Sequence, residues 1–413
     1  MKDFEKNSII IFTLTMICSV INYLFQIIMG RMLDIESFGI LNAISAFYLI
    51  ISIPTIVIFM LVSKYVSEYK ALNAPIDILI KKIFILVLLI SVVFSIIGIC
   101  LSCYIKTLIN IDNINLLYIT ILAVGFGYIL QIALGGLQGG KKFIAFGIIC
   151  LAQSLNKLFG SIIFLKLGFE LNGVVFSFLI GNILAIIIGF CILKIDFKVT
   201  INKITIKNKK NVVQFAWAAL LYNIGTNVLT NIDIIIVKKY FSEEITGLYS
   251  AASILGKIII FASSTIILVL FPYAAEANVK NENKNKLLIK SLIYGGCLSV
   301  IFALGINIFS KYIISFLFGY RYIESIEYLL YISIWIVFLS LLIIISNYLL
   351  AINRVKLISY SMVSGCIISI ILILLFNNNN ILRIIFILIV ISFSILIINI
   401  ISLIINNYKK DMN

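Results

Sequence analysis

Lys157, Asp233 and Lys257 each stand in a stretch otherwise built of aliphatic and aromatic residues. A charge at the centre of a bilayer costs about 2.5–3.5 kcal/mol even on the lenient insertion scale, so such residues face a pocket or a water-filled path. Two ammonium groups favour an anionic ligand, because attraction to phosphate or carboxylate is far stronger in a low-dielectric cavity than in water. Lysine supplies a compact charge for such a group without demanding one planar geometry. Asp233 is open to three roles: counter-ion to the lysines, carrier of a coupling proton or sodium ion, or a salt bridge internal to one lobe.

Other polar residues recur around these charges at helical spacing. Asn223, Thr226, Asn227, Thr230, Asn231 and Asp233 fill an arc of about 160° at 100° per residue. Gln153, Asn156, Lys157, Gly160 and Ser161 share an arc of about 140°. Ser250, Ser253, Lys257 and Ser264 lie on one side of a third helix, and Thr15, Ser19, Asn22 and Gln26 on one side of a fourth. Interhelical hydrogen bonding accounts for most single Ser, Thr and Asn residues. Two polar helices from each half can also surround a common aqueous cavity. Its candidate substrate contacts are Lys157, Lys257, Asn156, Gln153, Asn223, Asn227, Asn22 and Gln26.

The elements that carry these residues follow from composition. Of 413 residues, 62% are hydrophobic and 12% charged, against roughly 25% charged in soluble domains. Apolar windows of about 20 residues give twelve spans near 8–30, 39–62, 83–103, 115–137, 143–165, 171–193, 212–236, 247–271, 287–309, 325–350, 357–376 and 382–405. The expected fold is therefore an all-α integral membrane protein. Its N-lobe covers 1–194, a basic linker 195–211, and its C-lobe 212–413. Pro54 and the pair Gly125 and Gly127 can bend the second and fourth spans.

The N-terminus and the loops on its side carry 22 of the 32 Lys and Arg residues, and the opposite loops carry eight. Acidic residues divide evenly, leaving the first set at net +14 and the second neutral. The positive-inside rule puts both termini and the basic loops in the cytoplasm, so nucleic-acid binding is not needed to explain the charge. The densest basic loop, Lys194 to Lys210, would rest on anionic membrane lipid headgroups.

The two halves resemble each other. Arg31 to Ser45 aligns with Lys239 to Ser253 at an offset of 208, superimposing Glu36 on Glu244, Gly39 on Gly247, Ala43 on Ala251 and Ser45 on Ser253. Leu116-Leu-Tyr-Ile119 recurs as Leu329-Leu-Tyr-Ile332, and Gln138 and Lys141 have counterparts in Asn353 and Lys356. Six spans per unit is even, so the repeats are parallel, related by a pseudo-two-fold along the membrane normal.

Two further motifs fail chemically. Gly135-Gly-Leu-Gln-Gly-Gly140-Lys141-Lys142 approaches a phosphate loop but has lysine where the magnesium-binding hydroxyl belongs, and no strand precedes it. Cys100 and Cys103 form a C-x-x-C, but with no histidine and no second pair it makes neither a metal site nor a disulfide framework. No metal and no cofactor is expected, and the chain is not read as an enzyme.

The segments Arg31 to Gly39, Gln138-Gly-Gly-Lys-Lys-Phe143, Asn231-Ile-Asp233, Gly247-Leu-Tyr-Ser-Ala251, Phe318-Gly319 and Leu350-Ala-Ile-Asn-Arg354 occur in order across most of the chain. In these the sequence resembles the polysaccharide-transporter branch of the multidrug/oligosaccharidyl-lipid/polysaccharide (MOP) exporter superfamily, the Wzx-type O-antigen flippases. That resemblance implies a twelve-helix, two-lobe carrier in the cytoplasmic (inner) membrane. It would move an undecaprenyl-diphosphate-linked oligosaccharide by alternating access, with the pathway's glycan polymerase and glycosyltransferases as further partners. Lys157 and Lys257 become candidates for the diphosphate. Arg31 fits the motif after the first span, as a substrate contact or an anchor, since it lies off the polar stripe. The alternatives are a cation-coupled antiporter of the same superfamily, which would want acidic cavity groups, and a lipid-linked glycan polymerase or glycosyltransferase, which would want a large outer loop.

Overall fold

The computed structural model describes the backbone of residues 2–71, 75–195, 209–280, 284–351, 355–376 and 380–411. Regular structure among them is helical throughout. In chain order it comprises α1 Lys2–Met32, α2 Ile35–Ile51, α3 Ile53–Ala71, α4 Ile76–Ile109, α5 Ile114–Gly139, α6 Phe143–Lys166 and α7 Glu170–Leu193. There follow α8 Lys209–Tyr240, α9 Glu243–Lys280, α10 Lys284–Ile308, α11 Ser310–Leu317, a 3-10 turn Tyr320–Ser325, α12 Ile326–Ala351, α13 Val355–Phe376 and α14 Ile381–Asp411. Asn353, Arg354 and 196–208 of the basic linker lie outside the described residues, as do the side chains of Lys356 and Ser264.

Among the described residues eleven helices are long and apolar enough to cross a membrane, or twelve if the bent pair of α2 and α3 is one span. That pair bends by 42° between Ile51 and Ile53. Pro54, just after the break, has no N–H to donate and its ring would collide with the preceding turn. Hydroxyls take up carbonyls there: Ser52 Oγ donates to Leu49 O at 2.9 Å, and Thr55 Oγ1 to Ser52 O at 2.6 Å. By contrast, α5 runs unbroken past Gly125 and Gly127. The short α11 and the 3-10 turn were not expected, because eight residues are invisible to a twenty-residue hydropathy window.

The chain forms two compact units, Met1–Met29 with Ala43–Ala216, and Gly30–Asn42 with Trp217–Asn413. In the first, α5 is central and packs on α3, α4 and α7. Its Val124, Tyr128 and Ile132 pack among Val62, Val66, Leu79 and Val87. In the second, α12 is central, packed on α9, α10 and α14. Its buried Trp335 donates Nε1–H to Ser392 Oγ at 3.2 Å. The repeated Leu-Leu-Tyr-Ile thus opens the middle helix of each unit.

The second unit also displays the other repeat. Asp34 caps α2 by accepting from the Ser37 amide at 3.0 Å, and Ser242 caps α9 by accepting from the Ile245 amide at 3.3 Å. Both caps and both donors obey the 208-residue offset. Burial opposes ionisation of Asp34, but hydrogen bonds from Ser37 and its own amide, with the Arg321 charge, hold its carboxyl below the usual range. Gly39 and Gly247 meet at this corner. A Cβ on Gly39 would fall 2.7 Å from Glu243 O, and one on Gly247 would overlap Ile35 O. Ile35 and Glu243 are themselves repeat mates, so the two helix starts cross reciprocally, backbone against backbone.

Two arginines lock this corner. Arg31 donates Nε–H to Leu317 O at 2.8 Å and Nη2–H to Phe316 O, both at the end of α11. Arg321 donates back to the end of α1, to Gly30 O at 2.7 Å, Arg31 O at 3.1 Å and Leu33 O. Each guanidinium therefore supplies donors to carbonyls that a helix end leaves without intrahelical partners. Phe38 packs on Phe318 and Tyr322 alongside them.

Candidate anion-binding pocket

Within the first unit, α1, α2, α6 and α7 enclose a cavity of about 230 Å³ lined by Asn22, Gln26, Ser45, Tyr48, Gln153, Ser154, Lys157, Phe178 and Asn182, among others. Lys157 Nζ stands 4.4 Å from the centre of the Phe25 ring and 4.8 Å from that of Phe178. The two rings meet edge to face at 5.7 Å. Among the described residues no carboxylate lies within ion-pair reach of this ammonium. Cation–π contacts are worth only about 0.5–2 kcal/mol each, so the rings orient the charge without neutralising it.

The rest of the polar lining divides in two. One group is tied together: Asn22 Nδ2 donates to Cys18 O at 2.9 Å and to Ser154 Oγ at 3.3 Å. Gln153 Nε2 donates to Asn182 Oδ1 at 2.6 Å, and Asn182 Nδ2 donates to Ala123 O at 2.7 Å and Tyr48 OH at 3.4 Å. The other group is not. Gln26 Oε1 and Ser45 Oγ are buried and have no hydrogen-bond partner among the described residues.

The second unit holds a different arrangement. Asp233 on α8 is fully buried and accepts at Oδ2 from Ser253 Oγ at 2.9 Å and Tyr249 OH at 3.2 Å. Lys257 Nζ on α9 lies 3.8 Å from Asp233 Oδ1 and 3.4 Å from Asn231 Oδ1. Here the charges neutralise each other, and Asp233 Oδ1 has no hydrogen bond.

The expected site residues therefore separate by location. Lys157, Gln153, Asn22 and Gln26 share the first unit's pocket. Asn156, on the same arc of α6, donates to Ser177 O at 2.9 Å and so ties α6 to α7. In the second unit, Asn227 Nδ2 donates to Asn223 O and Asn231 Nδ2 to Asn227 O, both at 3.0 Å along α8. Lys257 and Asp233 form the pair above. Arg31 sits in the arginine corner of the second unit, away from both groups. The C-x-x-C cysteines are free and exposed, and the described residues contain no cluster of His, Cys, Asp and Glu suited to a metal.

Sequence reasoning missed Ser45, Tyr48 and Asn182. Ser45 had a signal, since it is the repeat mate of Ser253. Asn182, 1% exposed, had only its isolation in an apolar run. We expect Asn182→Ala to remove the bond from α7 to the Ala123 carbonyl and free Gln153, at a cost of about 1–3 kcal/mol. Thermal unfolding in detergent measures this; an unchanged midpoint would mean that the network carries no stability.

Three comparisons bear on this geometry. The family model described as "Polysaccharide biosynthesis protein" matches residues 4–278. An uncharacterized membrane protein of Methanocaldococcus jannaschii, MJ1375, is 24% identical over 388 residues, covering 89% of each chain. Among solved structures, the lipid II flippase MurJ in an inward closed conformation superimposes with TM-score 0.75 at 16% identity, covering 96% of this chain and 87% of that one. An inward-facing multidrug resistance MATE family transporter of the MOP superfamily does so with TM-score 0.80 at 13% identity, covering 97% of both chains. The expected MOP fold is the fold of this chain.

Proposed function

The chain belongs to the polysaccharide biosynthesis protein family, and from that premise we propose that it is a flippase for an undecaprenyl-diphosphate-linked oligosaccharide. The observation that carries this reading is Lys157, an ammonium set in a polar pocket with no carboxylate among the described residues to balance it. An anionic headgroup supplies the missing charge. A cation antiporter would need the reverse, and among the described residues no Asp or Glu lines this cavity.

The lipid-linked glycan is taken up from the cytoplasmic leaflet of the inner membrane and released to the outer leaflet by alternating access. Both termini lie in the cytoplasm, where the basic loops face anionic lipid. No cofactor takes part. A proton or sodium ion couples through Asp233, whose Oδ1 is buried without a hydrogen bond. The pathway's glycosyltransferases supply the substrate and its polymerase consumes the product.

The test uses proteoliposomes loaded with undecaprenyl-diphosphoryl glycan bearing a fluorophore on the sugar, challenged with an impermeant reductant. With the protein present, label from both leaflets should be quenched. Quenching confined to the outer leaflet, as in protein-free vesicles, would refute the flippase reading.

A further inference from the structure

The two units share a local design and differ at one decisive position. At the 208-residue offset, Asp233, Ser253 and Lys257 of the second unit correspond to Phe25, Ser45 and Leu49 of the first. In the second unit the carboxylate at this register accepts from Ser253 and stands beside Lys257. In the first unit the same register carries a phenyl ring, which accepts no hydrogen bond from Ser45 and brings no negative charge. The cation comes instead from Lys157 on α6, held against that ring. Among the described residues Ser45 Oγ is therefore left without a partner, and Lys157 without a carboxylate. The first unit thus keeps the serine, takes its cation from a different helix and lacks the internal anion.

We propose that Lys157 and Ser45, with Gln26, form a subsite for one anionic group of the ligand together with a hydroxyl beside it. The ligand's phosphate or carboxylate stands in the cavity beside the Phe25 ring, pairing with the Lys157 ammonium and accepting a hydrogen bond from the Ser45 hydroxyl. Gln26 Oε1 is buried and unmatched, and its amide, turned either way, can pair with a hydroxyl on the same ligand. A glycosyl phosphate or an acidic sugar supplies both the anion and such a hydroxyl. The cavity, about 230 Å³, is below the ~300–1,000 Å³ of pockets that enclose whole drug-sized ligands, so it suits one such unit and not an entire oligosaccharide. Asn22, Gln153 and Asn182, whose side chains are bonded to one another's helices, position the walls.

This deepens the flippase reading by naming what part of the substrate the first unit reads. It is testable without lipid. Saturation-transfer NMR on the purified full chain would use three soluble probes: glucose 1-phosphate, glucuronate and neutral glucose. Transfer is expected to at least one anionic sugar and not to glucose. Response to glucose 1-phosphate alone assigns the anion to the phosphate next to the first sugar; response to glucuronate alone assigns it to an acidic sugar in the glycan.

Lys157→Gln should weaken the response at least tenfold. Ser45→Ala and Gln26→Ala should each weaken it about threefold to tenfold, the loss of one ligand hydrogen bond. The proposal is overturned if wild-type protein binds none of the anionic probes, if glucose binds as well as they do, or if the Ser45 and Gln26 variants bind like wild type. Those two variants keep it falsifiable should Lys157→Gln not fold. Sugar binding without lipid translocation would refute flipping and leave the subsite standing; translocation unaffected by the three substitutions would do the opposite.

Discussion

Replacing Lys157 with glutamine is expected to lower glycolipid translocation by about 30-fold or more in a protein that still folds and inserts. Truncating one partner of a buried, hydrogen-bonded charge pair costs about 2–5 kcal/mol of binding, and each 1.4 kcal/mol is tenfold. In this pocket the other partner is supplied by the ligand, so the apoprotein loses only the two ring contacts of a cation that was expensive to bury. Lys257→Gln should behave in the opposite way. It leaves Asp233 fully buried with no cation, and breaking a buried pair costs about 3–5 kcal/mol. The variant should therefore lose thermal stability, and Lys257→Gln with Asp233→Asn should recover much of it. Measured in parallel, protein yield, unfolding temperature and translocation separate the two lysines. If Lys157→Gln is the unstable one and Lys257→Gln the folded, inactive one, the roles assigned from the geometry are reversed.

The sequence presents these two lysines as equals, and physically that is all it can do. Hydropathy locates α6, α8 and α9, because a span must satisfy its own backbone in lipid and bury or expose long apolar faces. A 100° period puts Lys157 and Lys257 on polar arcs. Neither argument reports which neighbours those arcs meet. Asn156 lies beside Lys157 on its arc, yet its amide bonds the Ser177 carbonyl of α7, an assignment fixed by how two helices pack. Thr226, Asn227, Thr230 and Asn231 form the broadest stripe in the chain, and each donates to the carbonyl four residues before it. A polar stripe marks where hydrogen bonding occurs and leaves open whether the partner is ligand, neighbour or the helix itself. The repeat was the more informative signal. It marked Gly39 and Gly247, whose contact is visible at the corner, and it pairs Ser45 with Ser253. At the same offset Phe25 stands against Asp233, so the carboxylate near Lys257 has no counterpart in the first half of the sequence.

Gly247→Ala is expected to destabilise the protein by about 1–3 kcal/mol or more, the usual range for overpacking. The top of that range applies because the added methyl would strike the Ile35 carbonyl, which cannot rotate aside as a side chain would. Gly39→Ala meets Glu243 O and the Gly247 amide at 2.7 Å and should act in the same direction. The two contacts are halves of one reciprocal crossing, so once either methyl has parted the helices the second finds room. The double variant should be clearly less unstable than the sum of the singles, as coupled neighbours are. Gly305 supplies the control. It lies within α10 with nothing inside 4 Å of an added Cβ, and Gly→Ala inside a helix gains up to about 1 kcal/mol. Gly305→Ala should leave the unfolding temperature unchanged or raise it. Transport should fall with Gly247→Ala as well, because the chain enters this corner just after Gln26 and leaves it just before Ser45, so parting the helices shifts both polar groups from the positions in which a ligand must find them. Equal midpoints for Gly247→Ala and Gly305→Ala would show that the crossing has slack, and the arginine hydrogen bonds to the ends of α1 and α11 would then be what holds the corner.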